Sequence, residues 1–217
     1  MHLELVIPAL FQAQAEAPAL QLLLARGRRN ETEAGGLEEW YAQAFGLGGG
    51  PLPAGALTAH AYGAEPACWL RADPVHLRAD RDRLLLIPSA GFDISAAEAK
   101  ELCAELDRLF GAQFTLHAFS AEHWGLRANE VMALATRPPL EIAGRDLDAE
   151  LPDKRFHALL NEIQMALYQH AVNTAREARG APVVNSVWLW GAGPLPAAVR
   201  GPWQSLSVED PAALGLA

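Results

Sequence analysis

The segment between Trp69 and Arg83, WLRADPVHLRADRDR, holds the densest group of side chains that could do chemistry. Its carboxylate and imidazole groups are Asp73, His76, Asp80 and Asp82. Such groups bind divalent metal ions when a fold brings them together. They equally suit a charged turn between two strands, in which aspartates pair with neighbouring arginines, and their spacing fixes no ligand geometry. A solvated turn and a ligand-binding site therefore both remain open.

Arg71 lies in the same segment, at the end of a predicted strand and beside the apolar pair Trp69-Leu70. An arginine in that place can donate two parallel hydrogen bonds to a phosphate or a carboxylate. The same guanidinium can instead form an internal ion pair with Asp73 or Asp80. The sequence leaves both roles open, and we place the functional prediction for this chain on Arg71.

A second polar group lies on the predicted helix 156–179. Its members are Asn161, Glu162, Gln164, His170, Asn173, Arg176 and Glu177. Asn173 and Glu177 are four residues apart, so one helix face can present amides and charges together. A solvated face with local pairs has the same pattern. His170 borders the apolar stripe, where a hydrogen-bonded histidine is more common than a ligand.

A third candidate is the G-x-G turn Gly191-Ala-Gly193, which follows the strand predicted at 183–190. Backbone amides of such a turn can hold an anion. Because Pro194 follows and no helix begins there, the pattern is a weak indication of a phosphate loop. Trp188 and Trp190 face the same side of the strand, and we expect both in the core.

The predicted elements around these groups come from hydrophobic periodicity and from Gly and Pro breakers. Strands are predicted at 3–7, 68–72, 83–87, 114–118, 124–128 and 183–190, with a further one at 131–135. Helices are predicted at 18–26, 37–45, 96–110 and 156–179. A capping box formed by Ser95 and Glu98 opens the third helix. The order of two strands, a helix and two strands in the middle indicates a small antiparallel sheet that carries a helix.

Two further stretches bear on the organisation of the chain. Residues 46–55 contain five glycines and two prolines, a composition that predicts a linker. Asp210-Pro211 is typical of a helix start, yet so short a helix is marginal unless it packs on something. We expect it to lack a packing partner, so deleting 205–217 should change stability little. We also expect the chain to be a fragment or a truncated form.

Composition excludes several classes of function. The net charge of −9 and the interspersed basic residues disfavour a nucleic-acid partner. No apolar run approaches the roughly 18 residues of a membrane span, and the first residues lack the basic leader of a secretory signal. Cys68 and Cys103 have no metal-ligand spacing and fit a reducing cytosol. We therefore predict a soluble cytoplasmic protein that binds neither nucleic acid nor membrane.

Four strings carry a resemblance to a known family. They are WLRADPVHL at 69–77, RDRLLL at 81–86, LNEIQMALYQHAVNTAREARG at 160–180 and NSVWLWGAGPLP at 185–196. These strings resemble a proteobacterial phosphoglycerate-mutase-related family that includes RpfE-type regulatory proteins. More distantly, the layout is similar to that of archaeal-type cofactor-independent phosphoglycerate mutases.

The resemblance implies an α/β fold with an incomplete alkaline-phosphatase-like core. Residues 1–65 and 151–217 would form that core, and a small α+β unit at 66–150 would be inserted into it. The superfamily uses a nucleophilic serine and two divalent metals held by Asp and His. Where the resemblance places a metal-binding aspartate, this sequence has Pro8-Ala9-Leu10, and the late Asp and His motifs would lie beyond Ala217. Two-metal catalysis needs both ions to be held at once.

We therefore predict a non-catalytic, regulatory or small-anion-binding protein without a cofactor. By the resemblance, Arg71, Asn173, Arg176 and Asn185 match positions that line the cleft of the mutases. Together with Asp73 and His76 they form the candidate ligand site, and the expected partner is a phosphorylated small acid or a protein. One alternative is a metal-dependent mutase or phosphatase, using Mn²⁺ or Zn²⁺ and completed by a missing C-terminal part. The other is a protein-interaction module.

Overall fold

The computed structural model defines the elements that position these residues. It describes residues 6, 18–28, 36–48, 50–81, 83–129, 134–147, 150–151, 154–197, 199, 201 and 203–216. Of the strand predicted at 3–7 only Val6 is described, and residues 131–133 of another predicted strand lie outside these ranges.

The helices are α1 (Pro18–Arg26), α2 (Leu37–Ala44), α3 (Ala54–Ala61), α4 (Ala96–Phe110), α5 (Pro139–Ile142), α6 (Lys154–Tyr168), α7 (Ala171–Ala178) and α8 (Pro211–Leu214). The strands are β1 (Cys68–Asp80), β2 (Arg83–Pro88), β3 (Phe114–Ala118), β4 (Trp124–Ala128) and β5 (Ser186–Trp190). The predicted β3 and β4 are confirmed, and so is the capping box of α4, in which Ser95 Oγ accepts from Glu98 N and Glu98 Oε2 from Ser95 N. The chain is thus a mixed α/β protein.

The five strands pair in one antiparallel sheet organised around β1. Successive parts of β1 pair with β4, β5 and β2, and β3 pairs with β4. The charged turn predicted after residue 72 is wrong in extent, because β1 continues to Asp80 and β2 begins at Arg83. Between the two strands, Arg81 has a turn conformation with φ 56°. β5 belongs to the predicted core and β1 to the predicted insertion, and the two strands pair in one sheet. The division into core and insert stays a prediction.

The predicted linker at 46–55 is wrong at its C-terminal end, because α3 begins at Ala54. All residues from Ala54 to Ala59 are buried. A Cβ at Gly55 would lie 2.4 Å from Leu70 Cα, so the backbone of α3 rests directly on β1. The small residues that resemble a linker composition are therefore the contact that allows a helix to approach a strand this closely.

The single helix predicted at 156–179 is also wrong, because it is broken into α6 and α7. His170 leaves the helical conformation at ψ 140°, and its Nδ1 accepts a hydrogen bond of 3.2 Å from Val172 N. This histidine caps α7. No Gly or Pro interrupts residues 156–179, so the sequence holds no helix breaker at this position.

The expectation that the C-terminal helix has no packing partner is wrong. Ala212, Ala213 and Leu216 are at most 4% exposed. A Cβ at Gly215 would lie 2.1 Å from Leu57 O, so α8 packs closely on α3. Asp210 caps α8 as predicted, its Oδ1 accepting from Ala212 N at 2.9 Å. Among the described helices, none is long and apolar enough to cross a bilayer.

Candidate functional site

Arg71 and Asp73 form an ion pair inside the protein. Each residue is 4% exposed. Arg71 Nε and Nη2 donate to Asp73 Oδ1 at 2.9 and 2.6 Å, and Nη1 donates to Thr58 Oγ1 at 3.3 Å. The guanidinium also lies over the Trp190 ring, 5.1 Å from its centroid. Of the two roles that the sequence left open for Arg71, the structure shows the ion pair, with Asp73 as the partner.

Asp73 is held on both oxygens. Its Oδ2 accepts from Trp190 Nε1 at 2.7 Å, while Oδ1 receives the Arg71 donors. Burial raises the pKa of the Asp73 carboxyl, and the charge of Arg71 with the Trp190 and Trp124 hydrogen bonds opposes that rise. Because an arginine stays protonated in proteins, Arg71 keeps its positive charge in the core, and Asp73 Oδ1 accepts two of its hydrogen bonds.

Four other predicted site residues hold one stretch of backbone, residues 182–185, which leads into β5. We call His76, Asn173, Arg176 and Asn185 the β5 anchor. His76 Nδ1 lies 2.9 Å from Val183 O, and since a carbonyl only accepts, Nδ1 carries the ring proton. Asn173 donates to Val184 O and accepts from Val184 N, both at 2.9 Å.

The rest of the anchor ties this stretch to β1 and α7. Asn185 accepts from Leu77 N at 2.7 Å and donates to Leu77 O at 2.8 Å, like one more rung of the sheet ladder. Arg176 Nε donates to Pro182 O at 2.7 Å. The side chains of the anchor are thus engaged with the backbone that they position.

Arg176 carries a second buried positive charge, and Glu98 matches it. Arg176 is 0% exposed, and its Nη1 lies 3.1 Å from Glu98 Oε1. Burial alone would raise the pKa of Glu98, but hydrogen bonds from Ser95, Arg179 and Arg176 outweigh it and lower that pKa to about 2. The Glu98 carboxylate therefore closes the cap of α4 and links α4 to α7.

The G-x-G turn after β5 packs against the start of α3. Gly191 O accepts from Gly55 N at 2.9 Å, and a Cβ at Gly193 would lie 2.9 Å from Pro53 Cβ. A cleft of 520 Å³ opens beside this turn. Its described lining is mainly apolar and includes Glu65 but no lysine or arginine, so it does not have the charge that favours a phosphate.

The sequence of this chain is similar to those of known phosphoglycerate mutases. No family model matches the chain. It is 28% identical over 155 residues to a "Probable 2,3-bisphosphoglycerate-independent phosphoglycerate mutase" of Geobacter sulfurreducens, covering 69% of this chain and 38% of that protein. A 2,3-bisphosphoglycerate-independent phosphoglycerate mutase of Methanosarcina barkeri is 30% identical over 115 residues, covering 50% of this chain and 29% of that protein. The chain is a distant homologue of the cofactor-independent phosphoglycerate mutases.

A solved structure is also similar. A cofactor-independent phosphoglycerate mutase from Thermoplasma acidophilum aligns with a TM-score of 0.48 at 17% identity, covering 75% of this chain and 48% of that one. The chain spans 38% and 29% of the lengths of the two curated mutases. The narrower resemblance to RpfE-type proteobacterial proteins stays a prediction.

In this homologue the six candidate residues form two groups rather than one. Arg71 pairs in register with Trp190 and Val75 with Ser186, so the Arg71–Asp73 pair and the anchor lie at opposite ends of β5. At the rise of an antiparallel strand, the two ends are roughly 14 Å apart. Each group is satisfied from within the fold.

Two partners of this site were missed from the sequence. Thr58 lies in α3, whose first residues belong to the predicted linker. No local sequence pattern marks Thr58 as a partner of Arg71. Trp190 was expected in the core, and the need of a buried indole N–H for an acceptor is the signal that points to Asp73. In the described residues, no group of three or more His, Cys, Asp and Glu side chains is placed to hold a metal ion.

Proposed function

We propose that this protein is a non-catalytic, regulatory relative of the cofactor-independent phosphoglycerate mutases, which acts by binding rather than by turnover. The observation that carries the proposal is the internal pairing of both candidate anion-binding arginines. Asp73 Oδ1 accepts from Nε and Nη2 of Arg71. Glu98 accepts from Nη1 of Arg176, whose Nε and Nη2 donate to the backbone oxygens of Pro182 and Asp93. A phosphate would have to displace a buried carboxylate, and breaking such a pair costs about 3–5 kcal/mol.

The sequence supports the same proposal at another position. Where the resemblance places a metal-binding aspartate after the first strand, the chain has Pro8-Ala9-Leu10, and no acidic residue follows before Glu16. Alanine, proline and leucine side chains offer no ligand to a divalent cation. The competing proposal, a metal-dependent mutase or phosphatase using Mn²⁺ or Zn²⁺, would have to draw its ligands from elsewhere.

The proposal extends to the setting of the protein. We also propose that this relative of the phosphoglycerate mutases has an alkaline-phosphatase-like core and is located in the cytoplasm. The binding partner is a phosphorylated small acid or another protein. The distant sequence relation to the mutases supports the first kind of partner, and the inward-turned arginines favour the second.

A turnover assay tests the central claim. The full chain, with Mn²⁺ or Mg²⁺, is incubated with 2- or 3-phosphoglycerate, and interconversion is followed by phosphorus NMR, with the Thermoplasma acidophilum mutase as a positive control. We expect no conversion above the protein-free blank. Metal-dependent turnover above that blank would overturn the proposal and support the mutase alternative.

A melting assay separates the remaining possibilities. Stabilisation by Mn²⁺ or Zn²⁺ alone indicates a metal protein, and stabilisation by phosphoglycerate alone indicates a ligand-binding module. A response to neither, with the turnover assay also negative, favours a protein partner.

A further inference from the structure

The turn between β3 and β4 is closed by a hydroxyl and an imidazole. Ser120 Oγ lies 3.1 Å from His123 Nδ1, and it also accepts hydrogen bonds from the backbone N–H groups of His123 at 3.0 Å and Glu122 at 3.3 Å. A hydroxyl oxygen has two lone pairs and one proton. Because the two backbone N–H groups use the lone pairs, the hydroxyl proton is donated to Nδ1. The His123 ring is therefore neutral, with its own proton on Nε2.

A protonated imidazole cannot keep this arrangement. Both ring nitrogens of a charged histidine are donors. The Nδ1–H group of His123 would then point at an oxygen whose lone pairs are already occupied. Protonation must break the contact between Ser120 and His123 or one of the two backbone bonds to Ser120 Oγ. The hydrogen bonds of the turn thus require the neutral ring.

Charged groups of β1, α8 and the turn itself act on His123. The buried guanidinium of Arg71 disfavours a second positive charge nearby, whereas the carboxylates of Asp210 and Glu122 favour one. Burial has the largest effect, and together with Arg71 it lowers the pKa of His123 from 6.5 to about 4. The surroundings therefore oppose protonation, as the hydrogen bonds do.

The same turn holds an aromatic contact with α3. The backbone N–H of Phe119 donates to His123 O at 3.0 Å, and its ring stacks on that of Tyr62, the C-cap of α3, with centroids 5.2 Å apart. The Phe119 ring also lies 5.4 Å from that of Trp69 in β1 and covers Gly125, where a Cβ would be 2.4 Å from Phe119 Cε2. Opening the turn would release Phe119 from these neighbours.

We propose that Ser120 and His123 form a proton-sensitive clasp, which holds Phe119 against α3 while His123 is neutral and opens the β3–β4 turn when His123 is protonated. The clasp does not depend on the proposed non-catalytic role. In the open turn the imidazole has its ordinary pKa of about 6.5. Because the closed turn lowers that pKa, its stability relative to the open turn is complete above pH 6.5 and is lost as the pH falls toward 4.

Amide exchange of the full chain tests the clasp. Exchange of residues 119–123 is measured at pH 7 and at pH 5 and corrected for the chemical exchange rate. Each pH unit between the pKa values of the two forms changes their ratio about tenfold. We expect the protection of the turn to fall by about tenfold or more at pH 5, while that of α4 stays constant. Protection of the turn that is the same at both pH values would overturn the clasp.

Nitrogen-15 NMR of the imidazole tests the hydrogen bond itself, without any substitution. At pH 7 we expect the His123 proton on Nε2 and none on Nδ1, since Nδ1 accepts from Ser120. A proton on Nδ1 at this pH would mean that the ring donates to the hydroxyl, and the clasp would be refuted.

Three substitutions identify the groups. His123→Asn places an acceptor oxygen close to the position of Nδ1 and cannot be protonated, so the turn should stay protected at both pH values. Ser120→Ala removes the hydroxyl and should lower the protection of the turn at pH 7, which serves if the first variant folds poorly. His60→Asn, at an exposed position of α3, should behave like the parent. A pH dependence that survives His123→Asn, or full protection of the turn at pH 7 in Ser120→Ala, would contradict the proposal.

Discussion

At the scale of single residues, the charges of two buried arginines are each matched by a carboxylate. Arg71 and Arg176 lie in the interior, and each contacts a carboxylate. Removing one member of such a pair leaves the other charge buried and unpaired, which is far more costly than removing both. The buried ion pairs therefore give Arg71 and Arg176 a role in the stability of the fold.

Arg71→Ala should lower the free energy of unfolding by about 3–5 kcal/mol without any ligand. Arg71→Met combined with Asp73→Leu should cost less than Arg71→Ala alone, because it leaves no unpaired charge. Urea unfolding measures both, and Arg108→Ala, in an exposed pair with Glu105, is the matched control expected to change little. If Arg71→Ala keeps the parental stability but abolishes stabilisation by phosphoglycerate, the residue binds an anion after all.

Asn173 offers a second test, because its amide serves three backbone groups. It donates to Leu167 O and Val184 O and accepts from Val184 N. Asn173→Ala should cost about 2–3 kcal/mol, since those buried groups lose their partner. Asn173→Asp should be similarly destabilising, because a carboxylate cannot donate, whereas Asn161→Ala on the exposed face of α6 should be nearly neutral. Equal stability of the Asn173 and Asn161 variants in urea would show that β5 does not depend on the anchor.

At the scale of elements, α3 is the piece that joins the sheet to the C-terminal helix. One side of it lies on β1 through Gly55, and another receives α8 at Leu57. Such close backbone approaches leave no room for added methyl groups, because protein interiors are packed as densely as organic crystals. The short α8 is stable through this contact rather than through its own propensity.

Leu216→Ala measures the docking of α8. Leu216 is 4% exposed, so the change should cost about 2 kcal/mol or more. Leu214, on the same helix and 48% exposed, provides the control, since Leu214→Ala should be close to neutral. Deleting 205–217 should lower the melting temperature by several degrees, at about 2–4 °C per kcal/mol for a chain of this size. A deletion without effect would restore the expectation of an undocked tail.

At the scale of the whole molecule, two partly buried side chains have opposite effects on how stability depends on pH. Glu38 has a pKa raised from 4.5 to about 7, so the stability linked to its protonated form is present below pH 4.5 and lost as the pH rises through 7. His123 has a pKa lowered from 6.5 to about 4, so the stability linked to its neutral form is present above pH 6.5 and lost as the pH falls through 4. Between pH 4.5 and 6.5 the two contributions largely cancel.

Removing either group should expose the other. Relative to the parent, Glu38→Gln should become more stable as the pH rises from 4.5 to 6.5, because only the histidine contribution remains. His123→Gln should show the reverse slope over the same range. Chemical denaturation at half-unit pH steps provides the measurement, and parallel curves for the parent and both variants would refute the opposition.

Local chemistry determined much of this fold from the sequence alone. Alternating apolar residues predict β3 and β4, and the Ser95–Glu98 box sets the start of α4, because these features depend only on near neighbours along the chain. The sequence also singles out six candidate ligand-binding residues, and that role stays a prediction. Their hydrogen-bonding potential is a property of their side chains and is visible in any fold.

Only the tertiary structure decided what those residues do. Asn185 bonds to Leu77 across 108 positions of sequence, and Trp190 to Asp73 across 117, distances over which no periodicity carries information. The same holds for α3, whose glycine and alanines signal a linker until a strand is laid against them. A hydrogen-bond donor pairs with whichever acceptor the fold brings near it. In this protein the acceptors of Arg71, Asn173, Arg176 and Asn185 lie inside the fold, so these candidate ligand-binding side chains connect β1, β5 and α7.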